Sequence, residues 1–213
     1  ADTAAMYADG IAYGLRSNYY WVVRKAWHDA LRDATAARKL HNRITELDPK
    51  NVDSRLVQGL HDYIVGSLPW SYKMLGFLVG IKGDRAKGIL TVQNVAKNGR
   101  LNRVDAEIFL CALYRRENQA KLAVPLVQDL IHRYPRNYLL RLELGQMYST
   151  SGDGVHGLEA VEEVARLKAA RTPGFERLPW EKIYYQQGSI QFWYNDLDRS
   201  LENMKKVTSS PED

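Results

Sequence analysis

Apolar residues recur three and four positions apart along almost the whole chain, and no sustained alternation of β-branched and polar residues interrupts them. The pattern predicts an all-α protein. Over Ile108, Leu110, Cys111 and Tyr114 the apolar positions repeat at helical spacing, and Leu122, Leu126, Val127, Leu130 and Ile131 repeat it beyond the polar stretch from Arg115 to Gln119. A pair of amphipathic helices is predicted there, the second ending where Pro135 pushes Tyr134 out of the α region. Between Tyr19 and Asp48 there is neither Gly nor Pro, which predicts one long helix or a pair with a barely marked joint.

The helices repeat. From Pro49 to Gly59 and from Pro135 to Gly145 the chain runs ten residues, each time across a polar Lys-Asn or Arg-Asn turn into a new helix. Cys111 and Gly145 are 34 residues apart, with small residues at Cys111 and Ala123, an aromatic at Tyr114, apolar Val127 and Leu130, and Pro135 at the end. This pattern resembles the tetratricopeptide superfamily. The resemblance implies a right-handed array of antiparallel helical hairpins, in which a small side chain on each helix of a pair lets the backbones approach.

The same register places small residues at Gly59 and Gly88, at Gly145 and Gly157, and at Gly188 and Ser200, with Ala37 and Ile44 in an earlier unit. A single repeat domain over 1–213 is expected, with units near 4–49, 52–100, 104–137, 138–170 and 178–210. Gly145 to Gly188 is nine residues longer than 34, and Thr172-Pro173-Gly174 with Pro179 puts the surplus in a loop over Ala169 to Pro179. Gly59 to Cys111 is 18 residues too long, which predicts an inserted helix near 67–82. There Ser67-Leu68-Pro69-Trp70, Met74-Leu75-Gly76-Phe77 and Gly83-Asp84-Arg85 resemble the tetratricopeptide-39 and inclusion-body-clearance proteins over roughly residues 55 to 150, although Trp70 stands where a second proline is common. Those proteins are associated with protein handling and lipid homeostasis. The resemblance implies a scaffold without naming its client.

It also implies that the first helix of each unit lines a concave groove. Asp105, Ile108, Ala112, Arg115 and Arg116 would lie there, then Leu142, Gln146 and Ser149, then Lys182, Tyr185, Ser189 and Phe192. Of these, Asp105, Ile108, Arg115, Arg116, Gln146, Lys182, Tyr185 and Phe192 are the candidate contacts for a protein or peptide partner. The Lys and Asn set with which some family members clamp a terminal carboxylate is missing, since Ile108 and Leu142 occupy those positions. Arg115 and Arg116 suit an acidic group on the partner, or pair with Glu117, Glu143 or Asp105.

Composition narrows the chemistry. With 45% apolar and 26% charged residues, the 213-residue chain is expected to fold around a core. Its net charge of +5 is uneven, 16 basic against 10 acidic residues over 1–106 and 14 against 15 over 107–213. The basic residues are scattered among acids, so no nucleic-acid partner is expected. A single cysteine, Cys111, excludes an internal disulfide and any Cys-x-x-Cys site, and its small-residue slot makes it a buried hydrophobe before a nucleophile. Gly152, Gly154 and Gly157 spell Gly-x-Gly-x-x-Gly, but a helix precedes them where a dinucleotide fold needs a strand, so no cofactor is expected. His28, His41, His61, His132 and His156 have no zinc spacing and are expected at the surface or half-buried.

Glu159, Glu162 and Glu163 put two carboxylates on one helix face, and Arg166 lies four residues beyond Glu162 for an ordinary ion pair. No acid, base and nucleophile set emerges, so no enzyme, catalytic residue or metal is expected. A pocket in which Glu159, Glu162, Glu163 and a histidine met would reverse that expectation. The aromatic clusters Tyr19-Tyr20-Trp21, Tyr184-Tyr185 and Phe192-Trp193-Tyr194 cannot all be core, because consecutive helical residues point in different directions.

No run of about 18 uninterrupted apolar residues exists to span a bilayer. The alternative to a peptide scaffold is a peripheral lipid contact through the apolar segment 68–81, with Trp70 and Phe77 in a membrane interface beside Lys73 and Lys82; the competing reading folds that segment back over the groove. The start at Ala1-Asp2-Thr3 fits a trimmed chain or a mature form after signal cleavage, in a bacterial cytoplasm or periplasm.

Overall fold

The computed structural model describes residues 2–70, 74 and 82–209, and every regular element among them is helical. In order these are α1 (Thr3–Tyr19), which runs into a π-helical turn (Tyr20–Arg24), α2 (Trp27–Leu47), α3 (Arg55–Gly66), α4 (Arg85–Asn98), α5 (Arg103–Arg116), α6 (Ala120–Arg133), α7 (Tyr138–Thr150), α8 (Gly154–Ala169), α9 (Trp180–Trp193) and α10 (Leu197–Thr208). The helices group into two compact units, Ala1–Leu110 and Cys111–Asp213. Several starts are fixed by short polar side chains that accept otherwise unpaired backbone N–H groups: Asp2 for Ala4 and Ala5, Asp84 for Lys87, Asn137 for Leu139 and Asp153 for His156.

In the first unit α1 and α2 run antiparallel. Gly10 faces His41, Arg16 holds Asp33, and the Ser17 hydroxyl donates to the Ala30 carbonyl at 2.7 Å. The joint is sharper than the sequence suggests. Lys25 takes the left-handed conformation at φ 53°, and the chain reverses there without Gly or Pro, after the π turn and before α2. The hairpin α3 and α4 closes through glycine, since a Cβ on Gly88 would collide with the backbone of Tyr63 and one on Gly59 would lie 3.0 Å from a Val92 methyl.

Asp53 ties the α4–α5 loop to the start of α3. Its carboxylate accepts the backbone N–H groups of Arg100, Leu101 and Asn102 at 2.9 to 3.2 Å, and the Asn102 amide donates back to the Asp53 carbonyl. Tyr7 on α1 then donates to the Asn102 side chain at 2.6 Å. The inserted helix expected near 67–82, with Tyr72, Lys73, Phe77, Leu78 and Val79, falls largely outside the described residues.

In the second unit the pairs α7 with α8 and α9 with α10 repeat the close approach. A Cβ on Gly145 would sit 2.8 Å from a Val161 methyl, and one on Gly157 would sit 3.1 Å from the Gly145 carbonyl. Ser200 fills the matching slot on α10 and donates its hydroxyl to the Gly188 carbonyl at 2.8 Å. Cys111 and Ala123 are both buried. The surplus loop does more than connect: Phe175 and Leu178 are completely buried and join Leu142, Val161, Val164, Ile183 and Ile190 in one core. Gly174 sits at φ 95° against the Arg136 backbone, where any side chain would collide.

Candidate functional site

Four helices line one open depression of about 560 Å³, to which α10 contributes Val207. The last turn of α5 supplies Arg115, α7 supplies Leu139, Leu142, Glu143 and Gln146, and α9 supplies Glu181, Lys182, Tyr185, Gln186 and Ser189. The helical period puts these residues on one side of each helix, since 139, 142, 143 and 146 on α7 and 182, 185, 186 and 189 on α9 are spaced by three and four. The Gln186 amide donates to the Leu142 carbonyl across the floor, which fixes α7 to α9.

Of the sequence-derived contacts, Arg115, Gln146, Lys182 and Tyr185 meet here. Arg115 is already engaged, donating to Glu143 at 3.1 Å, one of the pairings its position suggested. Lys182 is exposed on the rim and has no acidic partner among the described residues. Arg116 and Phe192 lie outside the depression, and Phe192 packs edge to face on Trp193 with ring centroids 5.7 Å apart. Asp105 and Ile108 belong to the first unit, where Ile108 is exposed and Asp105 lines a different cleft. Trp70 is 75% exposed, and Phe77 lies outside the described residues.

That other cleft, about 540 Å³ and mainly apolar, was not anticipated. Its walls are Ile11 and Leu15 of α1, Leu60 and Ile64 of α3 and Phe109 of α5, over a floor of Gly10, Gly14, Ala34 and Ala37. The signal was present as Gly10 with Gly14 and Ile11 with Leu15, two pairs four apart on one helix. Arg38, His61 and Asp105 are its charged and titratable lining. Burial, then the neighbouring Arg38 guanidinium, pushes the His61 imidazole below its ordinary value against the pull of Asp62.

His41 departs from expectation more sharply. It is fully buried between α1 and α2, neither ring nitrogen has a hydrogen-bond partner in the described structure, and the Tyr7 ring packs edge on against it at 5.5 Å. Burial alone lowers its pKa, because a charged ring there would lose its hydration with no partner to replace it.

The carboxylate stripe on α8 also needs placing. His156, Glu159, Glu162, Glu163 and Arg166 do share one open depression with Tyr148 and Leu144. This is the meeting of Glu159, Glu162, Glu163 and a histidine that would reverse the expectation of no enzyme, and all four side chains are exposed in it. Glu163 is paired with Arg141 at 2.7 Å, and His156 with Asp153 at 2.7 Å. The backbone N–H of His156, then its ring, hold the Asp153 carboxyl below the usual range. Among the described residues no group of three or more His, Cys, Asp or Glu side chains is placed to hold a metal ion. No protein-family model matches this chain, and no curated protein matches it.

Proposed function

We propose that this chain is a non-catalytic helical-repeat scaffold of the tetratricopeptide kind, which holds a protein or peptide segment in the depression between α5, α7 and α9. The observation that carries the reading is the convergence of Leu139, Leu142 and Tyr185 with polar Gln146 and the unpaired Lys182, all from one side of successive hairpins. Tyr185 offers a large rigid contact with few rotatable bonds, and Leu139 and Leu142 bury apolar side chains of the segment. Lys182, rather than the engaged Arg115, is the cation that selects an acidic residue in it.

A peptide-display selection against the folded chain tests this. Selected segments should combine apolar residues with an acid, and Lys182→Glu or Tyr185→Ala should each weaken them by about tenfold, the loss expected for one good interface contact. Both side chains are exposed, so neither change threatens the fold. Segments that bind parent and both variants equally would end the assignment.

The α8 stripe favours one second reading, a cation-holding or catalytic face. Calorimetric titration with calcium and zinc separates the two: heat abolished by Glu162→Gln would establish that face in place of the scaffold reading.

A further inference from the structure

The tip of the first hairpin carries an apolar surface of a particular kind. Tyr19, Trp21, Val22, Val23 and Trp27 are all exposed, Trp21 by 56% and Val23 by 62%. Trp21, Val22 and Val23 sit on the π turn that Lys25 closes, between Tyr19 at the end of α1 and Trp27 at the start of α2, so these three consecutive side chains fan out in different directions. The Trp21 and Trp27 rings hold each other edge to face at 4.4 Å, which gives the tip a defined aromatic wedge. From Gly10 to His28 the sequence has no acidic residue, while Arg24 and Lys25 stand exposed within the fan. The next two acidic residues along the chain are engaged, Asp29 by Arg32 and Asp33 by Arg16. Neither Arg24 nor Lys25 has an acidic partner among the described residues.

We infer that this tip docks on an anionic lipid bilayer, with Trp21, Val22 and Val23 entering the interfacial zone while Arg24 and Lys25 meet lipid phosphates. Charge and shape favour that occupant. Two uncompensated cations complement an anionic surface, and indole and phenol rings prefer the headgroup level, where one edge is apolar and the other wet. Apolar side chains that leave a turn in several directions can all enter a fluid interface, where binding scales with the apolar area buried together with the attraction of basic residues to anionic lipid. No helix among the described residues is long and apolar enough to cross a membrane, so the contact is peripheral. The inference stands apart from the peptide groove, which lies in the other unit.

Cosedimentation of the full chain with phosphatidylcholine vesicles, with and without phosphatidylserine, tests it. The parent chain should bind the anionic vesicles and bind the neutral ones more weakly. Arg24→Gln together with Lys25→Gln should lower anionic-vesicle affinity about 25-fold, at about fivefold per basic residue, and raised salt should weaken the parent in the same sense. Trp21→Ser with Val23→Ser should abolish binding to both, with the circular dichroism spectrum unchanged. Lys182→Glu and Trp70→Ala should leave binding as it was. Three results would overturn the inference: no binding of the parent to anionic vesicles, binding lost with Trp70→Ala but not with the tip changes, or a parent dimer that Val23→Ser dissociates, which would make a second copy of the chain the occupant.

Discussion

Asp33 keeps a charged carboxylate where almost no water reaches, because Arg16 meets it with two nitrogens and Arg32 with a third. Those hydrogen bonds, that from Arg16 foremost, hold its pKa below the ordinary 3.8. His41 is the opposite case, a buried imidazole whose ordinary pKa of 6.5 is pushed down because nothing compensates a charge on it. Both folded-state values are depressed, so both groups add stability above their unfolded values and lose it as pH falls through the folded ones. Stability in urea is therefore expected to hold from pH 8 to 7, to decline below about 6.5 as His41 and His61 are driven to protonate, and to decline again below about 4 as Asp33 does. His41→Leu should reduce the first decline and leave the second; an unchanged acid profile in that variant would refute the account. None of this was legible from His41 itself, since a histidine in a helix reads the same whether its ring faces solvent or a glycine on another helix.

At the scale of elements, small residues were the readable part. Gly59 with Gly88, Gly145 with Gly157, and Gly188 with Ser200 fall between partner helices because a missing side chain at a crossing point is visible as a letter and a spacing. Two features escaped for physical reasons. The reversal at Lys25 uses a left-handed backbone that lysine can adopt without advertising it, unlike the Pro135 that marks the end of α6. Pro125, conversely, lies inside α6, so proline alone does not end a helix here. The surplus around Thr172-Pro173-Gly174 reads as a loop and is one, yet Phe175 and Leu178 within it are core. Phe175→Ala should cost about 3 to 5 kcal/mol by leaving a cavity among Leu142, Val161 and Ile183. Denaturant unfolding measures this, and a loss under about 1 kcal/mol would mean that the loop merely lies over a finished core.

Across the whole molecule, charge and burial are unevenly distributed. Ala1–Leu110 holds 16 basic and 11 acidic residues against 14 and 14 in Cys111–Asp213, so the net +5 belongs to the first unit. Burial thins toward both ends of the chain, since Gly10 is the buried residue of α1 and Ser200 that of α10, while α7, α8 and α9 each bury four. Helices near the chain ends that bury fewer residues are held by fewer contacts and open more readily. Hydrogen exchange should therefore be fastest in α1 and α10 and slowest in α7 to α9. Uniform protection from end to end would instead mean that the helices unfold as one block.

Phe175 and Leu178 set a limit on modular exchange. Cutting residues 170–179 back to a standard-length linker would leave the helices intact on paper and strip two plugs from beneath them. An engineer who transplants the pair α7 and α8 into another helical protein must carry this stretch along, or redesign the hydrophobic wall that it completes.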